Sequence, residues 1–279
     1  MASEVVYRPL DEETVSDLAC SPGGLELAGK GFCGDLSQVA EWHRRMLRLG
    51  MRGVVAERAG QSTGFAEYMP SESAPFPIEA PGAAVLLCFH WAGTEPDDPE
   101  HLTEERRMVE AVIEEARPVF AGLATLGWNH PTHFPIRLLQ DLGFQEVMRE
   151  EPIALMWLPF REGVPEPRLA PPGFTPRDLS SRGILAVDAA FSARCPYSVN
   201  AVERLKTIVA AHPDRARVSL REYQIDTRED AFRLAVSPWD WTWTYLNGES
   251  VNLLVSREQV SRELTRRVPQ SVQDRDVPR

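Results

Sequence analysis

Apolar positions along the chain fall into two periodicities, and their alternation sketches a string of helices and strands. Val39, Trp42, Met46 and Leu49 recur at helical spacing before Gly50, so 38–50 is predicted as an amphipathic helix with a glycine stop. Residues 52–57 and 64–69 read as strands around the turn Ala59-Gly60-Gln61-Ser62. The run AAVLLCFHW at 83–91 is nearly continuous in apolar residues, as expected of a strand covered on both faces. A helix over about 103–117 carries Met108, Val109, Val112 and Ile113 on one stripe, with Thr103 suited to its N-cap. Short strands at 122–127 and 153–158 flank a short helix at 135–142 that Gly143 ends.

The remaining pattern is cleaner. It predicts strand 184–190, helix 199–211, strand 217–225, helix 228–236, strand 243–246, the turn Asn247-Gly248, strand 250–254 and helix 257–267. Between the two sets lies REGVPEPRLAPPGFTPR at 161–177, with five prolines and no apolar periodicity. Such a segment is predicted as a stiff, extended linker that offers no core contacts of its own. The division is therefore 1–160, linker 161–177, second domain 178–268, and a tail at 269–279 with little to bury. A chain of 279 residues with 43% hydrophobic content can give each half its own core.

Charge sharpens this picture. The net charge is −11, which argues against a nucleic-acid partner. Residues 1–160 hold 12 basic and 25 acidic groups, against 18 and 16 in 161–279, so the N-terminal half is a poor host for an anion. No run approaches the roughly 20 apolar residues of a membrane span, and MASEVVYRPLDEE is acidic where a signal peptide is basic. A cytoplasmic protein without a membrane partner is the expectation, and its four cysteines are then expected as free thiols.

Cys195 is the most reactive candidate. In Arg194-Cys195-Pro196-Tyr197-Ser198 it lies between a strand and a helix start, where unpaired backbone N–H groups, the helix dipole and Arg194 all favour a thiolate. The arrangement resembles a glutaredoxin-type site with Ser198 in place of the second cysteine, which leaves monothiol chemistry with a small-molecule or protein thiol or electrophile. Catalytic roles are expected of Cys195 and Ser198, with Ser198 donating to the sulfur. Substrate contacts are expected of Arg194, Tyr197, Thr242 and Trp243, the last two beside the position where thioredoxin-like folds carry a cis-proline. The order βαβαββα of this half resembles the thioredoxin core.

The N-terminal half resembles the GNAT acetyltransferase fold, in Arg8-Pro9-Leu10, the helix-hairpin-strand order, the helix VEAVIEEA and Leu138-Leu139-Gln140-Asp141-Leu142-Gly143-Phe144. Further segments, Ala66-Glu67-Tyr68-Met69-Pro70, Pro77-Ile78-Glu79-Ala80-Pro81, Cys88-Phe89-His90-Trp91, Cys195-Pro196-Tyr197 and Ile225-Asp226-Thr227-Arg228-Glu229, are similar to the YoaP-like family, GNAT proteins with an appended thioredoxin-like domain. The resemblance implies an α/β (α+β) chain: a mixed sheet with flanking helices, then a thioredoxin-like domain. It also implies acetyl-CoA, whose diphosphate a GNAT protein holds on a glycine-rich loop opening the helix after strand 83–91. Here that place holds Glu100, His101, Leu102, Thr103, Glu104 and Glu105, without either glycine and close to Asp97 and Asp98. Two unit charges about 4 Å apart repel by about 1 to 4 kcal/mol, so no cofactor is assigned and acetyl-CoA is expected to bind poorly. The tyrosine many GNAT enzymes use as general acid is Leu139.

No metal site is assigned. An H-x-x-H pair broken by proline, His130 and His133, lacks helical ligand geometry even with His90, Cys88 and the acidic run nearby. Cys20 and Cys33 flank a glycine-rich stretch, and spacing leaves open whether they meet. Three functional readings stand: a thiol-handling enzyme acting through Cys195, a GNAT-type acyltransferase with a thioredoxin-like recognition module, and a non-catalytic binding protein.

Overall fold

The computed structural model describes residues 4–15, 37–92, 94–95, 98–131, 134–236, 243–251 and 257–269. Cys20, Cys33, Asp97, His133 and Thr242 lie outside the described residues, as does the tail beyond Pro269. Among the described residues, no helix is long and apolar enough to cross a membrane.

Among the described residues the chain is mixed α/β, with a seven-stranded, a four-stranded and a two-stranded sheet. The first has seven strands: β1 (Val5–Pro9), β2 (Arg52–Arg58), β3 (Gln61–Pro70), β5 (Ala84–Trp91), β6 (Gly122–Trp128), β8 (Ile153–Pro159) and β7 (Gln145–Glu150), in that order. The short β4 (Ile78–Glu79) stands outside it. Every neighbouring pair is antiparallel except β5 and β6. Those two are parallel and are paired only at Ala84↔Leu123 and Val85↔Ala124. The sheet therefore opens along the rest of β5.

Helix α1 (Ser37–Arg48) seals one face, burying Trp42 and Met46 in a core with Val55, Met69, Leu87 and Trp157. Helix α2 (Pro99–Ala116) and the short α3 (Ile136–Asp141) seal the other, around Tyr68, Trp91, Met108, Val112 and Leu139. The apolar run of β5 thus feeds both cores, as its lack of alternation predicts. The start of α2 corrects the sequence expectation. Asp98, not Thr103, is the N-cap, its side chain accepting from the Glu100 amide, and the helix begins four residues before Thr103. Strands β1 and β7 escape sequence reading because they are sheet edges with mostly open faces, so their residues show no buried alternation.

The second sheet has the order β11 (Val218–Gln224), β10 (Leu185–Phe191), β12 (Thr244–Leu246), β13 (Glu249–Ser250), with β10 parallel to β11 and antiparallel to β12. Helices α4 (Pro196–Ala211) and α6 (Arg257–Arg267) pack on one face against Val187, Leu205, Val260 and Leu264. Helix α5 (Arg228–Leu234) and an aromatic group of Trp243, Tyr223 and Phe174 cover the other. The strand and helix order is the one the hydrophobic pattern predicts.

The proline-rich stretch does not behave as a contact-free linker. Strand β9 (Arg168–Leu169) pairs with β4, Ala170 is buried and donates to Pro77 O, and Gly173 donates to Ala235 O. At its end Arg177 closes onto Asp188 of β10: the amide donates to Oδ2 at 2.7 Å and Nε to Oδ1 at 2.6 Å, with Nη2 reaching Ser219 O. Prolines forbid a helix and deplete ladder donors, but leave carbonyls, single amides and side chains free to pin a strap.

Asp188 is 1% exposed, so removing its partner strands a buried charge. Arg177→Ala is expected to destabilise the second sheet by about 3 to 5 kcal/mol, read as a fall in urea midpoint, whereas Arg168→Ala, whose Glu79 partner is exposed, should shift it by less than about 1 kcal/mol.

Candidate functional site

Where β5 parts from β6, it also carries a bulge. Tyr68 faces Leu86 and Glu67 faces Cys88, so Leu87 is the extra residue between them. With its parallel neighbour gone after Val85, the Leu87 carbonyl points away from the ladder. Arg194, from the turn before α4, fills that position: Nη1 donates to Leu87 O at 2.7 Å and the guanidinium lies 4.9 Å from the Phe76 ring centroid. At 6% exposure it is a buried cation satisfied by a backbone acceptor of the other sheet.

Asp226 holds the same junction from below. Its Oδ1 accepts from the Ala193 amide at 2.9 Å and its Oδ2 from Gln224 Nε2 at 2.6 Å, while its carbonyl accepts from Trp42 Nε1 at 3.1 Å. Arg45 on α1 adds a 3.4 Å ion pair. Arg228 donates to Ser71 O at 3.2 Å. The turn that carries Cys195 is thus fixed to the large sheet by backbone and charge contacts on both sides.

Cys195 is the N-cap residue of α4, as its sequence position predicts, followed by Pro196 at the first helical turn. The Ser198 and Tyr197 amides reach its sulfur and favour the thiolate, as does Arg194. Burial outweighs all three and raises the thiol above its ordinary value, with Glu67 adding to the rise. The expected low-pKa thiolate is therefore corrected: a helix N-terminus lowers a thiol pKa when the sulfur is hydrated, and here burial is the larger effect. Cys88 is raised for the same first reason, again with Arg194 opposing and Glu67 reinforcing. Both are free thiols, partly exposed.

Ser198 is 3% exposed, and its Oγ accepts from the Ser192 amide at 3.1 Å, bracing the turn. Its contribution at the sulfur comes through its backbone N–H. Tyr197 is half-buried beside it. Trp243 lies in the aromatic core, its indole donating to Leu234 O at 3.1 Å.

A buried ionisable pair under the junction was not picked out from the sequence. His43 on α1 bonds Val39 O through Nδ1 at 2.8 Å and Glu67 Oε2 through Nε2 at 3.0 Å. A carbonyl can only accept, so Nδ1 is the donor to Val39 O. Glu67 is fully buried and its Oε1 has no partner among the described residues. Its cross-strand neighbour is Cys88. The signal available in sequence was a charged residue inside an apolar strand, within Ala66-Glu67-Tyr68-Met69.

The described residues of the acidic run make contacts within the fold. Pro99 has no amide to offer and Asp98 already takes the Glu100 N–H, so the opening turn of α2 is capped from within. Glu100 pairs with Arg58. Thr103 Oγ1 donates to Pro99 O. Glu104 accepts from Tyr7 Oη and from Arg107. His101 and Glu105 form a buried pair with Nε2 3.3 Å from Oε1. His90 stacks edge-on toward His101, 6.5 Å between ring centroids. Among the described residues no group of three or more His, Cys, Asp or Glu is arranged to hold a metal ion.

No protein-family model and no curated protein sequence matches the chain. Solved structures that it resembles are GNAT-family acetyltransferases. They include the putative acetyltransferase yncA from Salmonella typhimurium with acetyl-CoA (16% identity, 59% of this chain and 98% of that one, TM-score 0.42). A GNAT family acetyltransferase from Brucella melitensis in complex with acetyl-CoA is another (14% identity, 60% and 96%, TM-score 0.41). A ribosomal-protein-alanine N-acetyltransferase from the same organism is a third (20% identity, 59% and 99%, TM-score 0.38).

Two outcomes follow from this geometry. Calorimetric titration with acetyl-CoA should give no saturable binding tighter than about 1 mM, or roughly −4 kcal/mol, because Asp98 caps the α2 opening and Pro99 brings no amide to it. Iodoacetamide should alkylate Cys195 more slowly at pH 7 than it does a free cysteine. The rate should climb about tenfold per pH unit to well beyond pH 8.5, since a raised pKa keeps the thiol neutral until higher pH. Mass-spectrometric rates over pH 6–10 check the second.

Proposed function

We propose that the protein is an acyltransferase-type group-transfer protein, a GNAT-like unit joined to a thioredoxin-like unit, that works through the Cys195 thiol at their junction and not through coenzyme A held by its diphosphate. The observation that carries this reading is the seat of Arg194 on Leu87 O, at 2.7 Å. It sets the thiol-bearing turn against the opened length of β5, where unpaired strand groups would otherwise bind an extended acyl donor as an added strand. The GNAT part is supported by the large mixed sheet with its single parallel, opening pair. The thioredoxin-like part is supported by the βαβαββα order and the strand order of the second sheet.

In this reading an acyl thioester R–CO–SR′ meets the Cys195 thiol: sulfur attacks the carbonyl carbon, R′S leaves with the proton as R′SH, and the acyl group stays on Cys195. The acyl group then passes to an acceptor. Raised thiols and a closed α2 opening favour a second reading, in which both units bind a ligand without chemistry.

The test compares acetyl-CoA with the acetyl thioester of N-acetylcysteamine, which lacks the nucleotide. Intact-mass measurement should find one acetyl group added at comparable rates by the two donors, and none on Cys195→Ser. Acetylation that persists in Cys195→Ser would overturn the role of the thiol, and a donor preference above about 100-fold for acetyl-CoA would restore diphosphate recognition. No acetylation from either donor hands the protein to the binding reading.

A further inference from the structure

A mixed disulfide formed at Cys195 has no partner within its own motif, because Ser198 stands where a second thiol would be. The fold brings another thiol to the junction from the other unit. Cys88 directly follows Leu87, and Cys195 directly follows Arg194, so the 2.7 Å bond from Arg194 Nη1 to Leu87 O ties together the residues preceding the two cysteines. Both are free and partly exposed, and Cys88 lies within electrostatic reach of Cys195. A second, independent feature points to proton traffic here. Glu67, the cross-strand neighbour of Cys88, is fully buried with Oε2 on His43 and Oε1 without a partner among the described residues. A buried carboxylate oxygen left bare is costly unless something that visits the site donates to it.

We infer that Cys88 is the resolving thiol for Cys195, and that Glu67, oriented by His43, takes the Cys88 proton when it does so. With a small disulfide RSSR, Cys195 sulfur attacks one sulfur, the RS–SR bond breaks, and RSH leaves with the Cys195 proton. The other half remains on Cys195. Cys88 sulfur then attacks the Cys195 sulfur, its proton passes to Glu67 Oε1, the second RS⁻ leaves, and that proton returns to it as RSH. RSSR is reduced to two RSH as two protein thiols are oxidised to one Cys88–Cys195 disulfide. Burial holds both thiols neutral, which is why the second attack needs a base beside Cys88. The inference rests on Cys195 being a nucleophile, as in the preceding reading, but not on acyl transfer.

The experiment treats the full chain with glutathione disulfide and follows intact mass and non-reduced peptide maps over time. Wild type should pass through a transient glutathione adduct on Cys195 to a Cys88–Cys195 link. Cys88→Ser, and Cys88→Ala as a variant without a buried hydroxyl, should stop at the adduct. Glu67→Gln should slow the second step at least tenfold while leaving the first within twofold, a split that general loosening of the junction would not produce. An adduct that persists in wild type as long as in Cys88→Ser, or a link from Cys195 to Cys20 or Cys33, overturns the inference alone. Absence of any adduct at Cys195 in the Cys88 variants overturns it together with the nucleophile of the preceding reading.

Discussion

The carbonyl of Leu87 has lost its neighbour on β6 and been pushed out of register with β3, and a buried polar group in that condition must be satisfied or the sheet cannot stay dry. Arg194 satisfies it with a charged donor brought from a different sheet. It works beside the Asp226 contacts to Trp42 and Arg45 and the Arg228 contact to Ser71. Charge-assisted bonds to buried acceptors are among the stronger ones in proteins, and this one fixes where the turn before α4 sits, what surrounds Cys195, and which face of β5 stays out of water.

The same contact explains why the thiol departs from the behaviour of an isolated helix-start cysteine. The favourable groups are all in place: two amides at the sulfur and a guanidinium in the preceding residue. They act, but on a buried sulfur, and desolvation is the larger effect. The position that would favour a thiolate in water carries a thiol raised above its ordinary value here, with Glu67 adding to the rise.

The acidic start of α2 is the counterpart on the opposite face. A glycine-rich opening offers amides to a ligand; this one spends them on Asp98 and replaces one with Pro99. The remaining carboxylates are turned to Arg58, Arg107, Tyr7 and His101, which pin the helix to β1, β2 and its own next turns. The opening of α2 is thus turned to internal support.

Much of this was open to sequence reading because it is local. Helical spacing at Val39, Trp42 and Met46, the two-sided apolar run of β5, the glycine at 143 and the βαβαββα order depend on neighbours a few residues apart, and those periodicities survive into the fold. The missing glycines before α2 and the helix-start position of Cys195 were equally visible. What the chain alone could not declare were the encounters across it: Arg194 with Leu87, Asp226 with Trp42, His43 with Glu67, and the proline-rich strap with β4. Each joins residues tens to more than a hundred positions apart, and no periodicity encodes such a pairing. The burial those encounters impose reversed the expected ionisation of Cys195, since a pKa is set by the water a group loses as much as by the charges beside it.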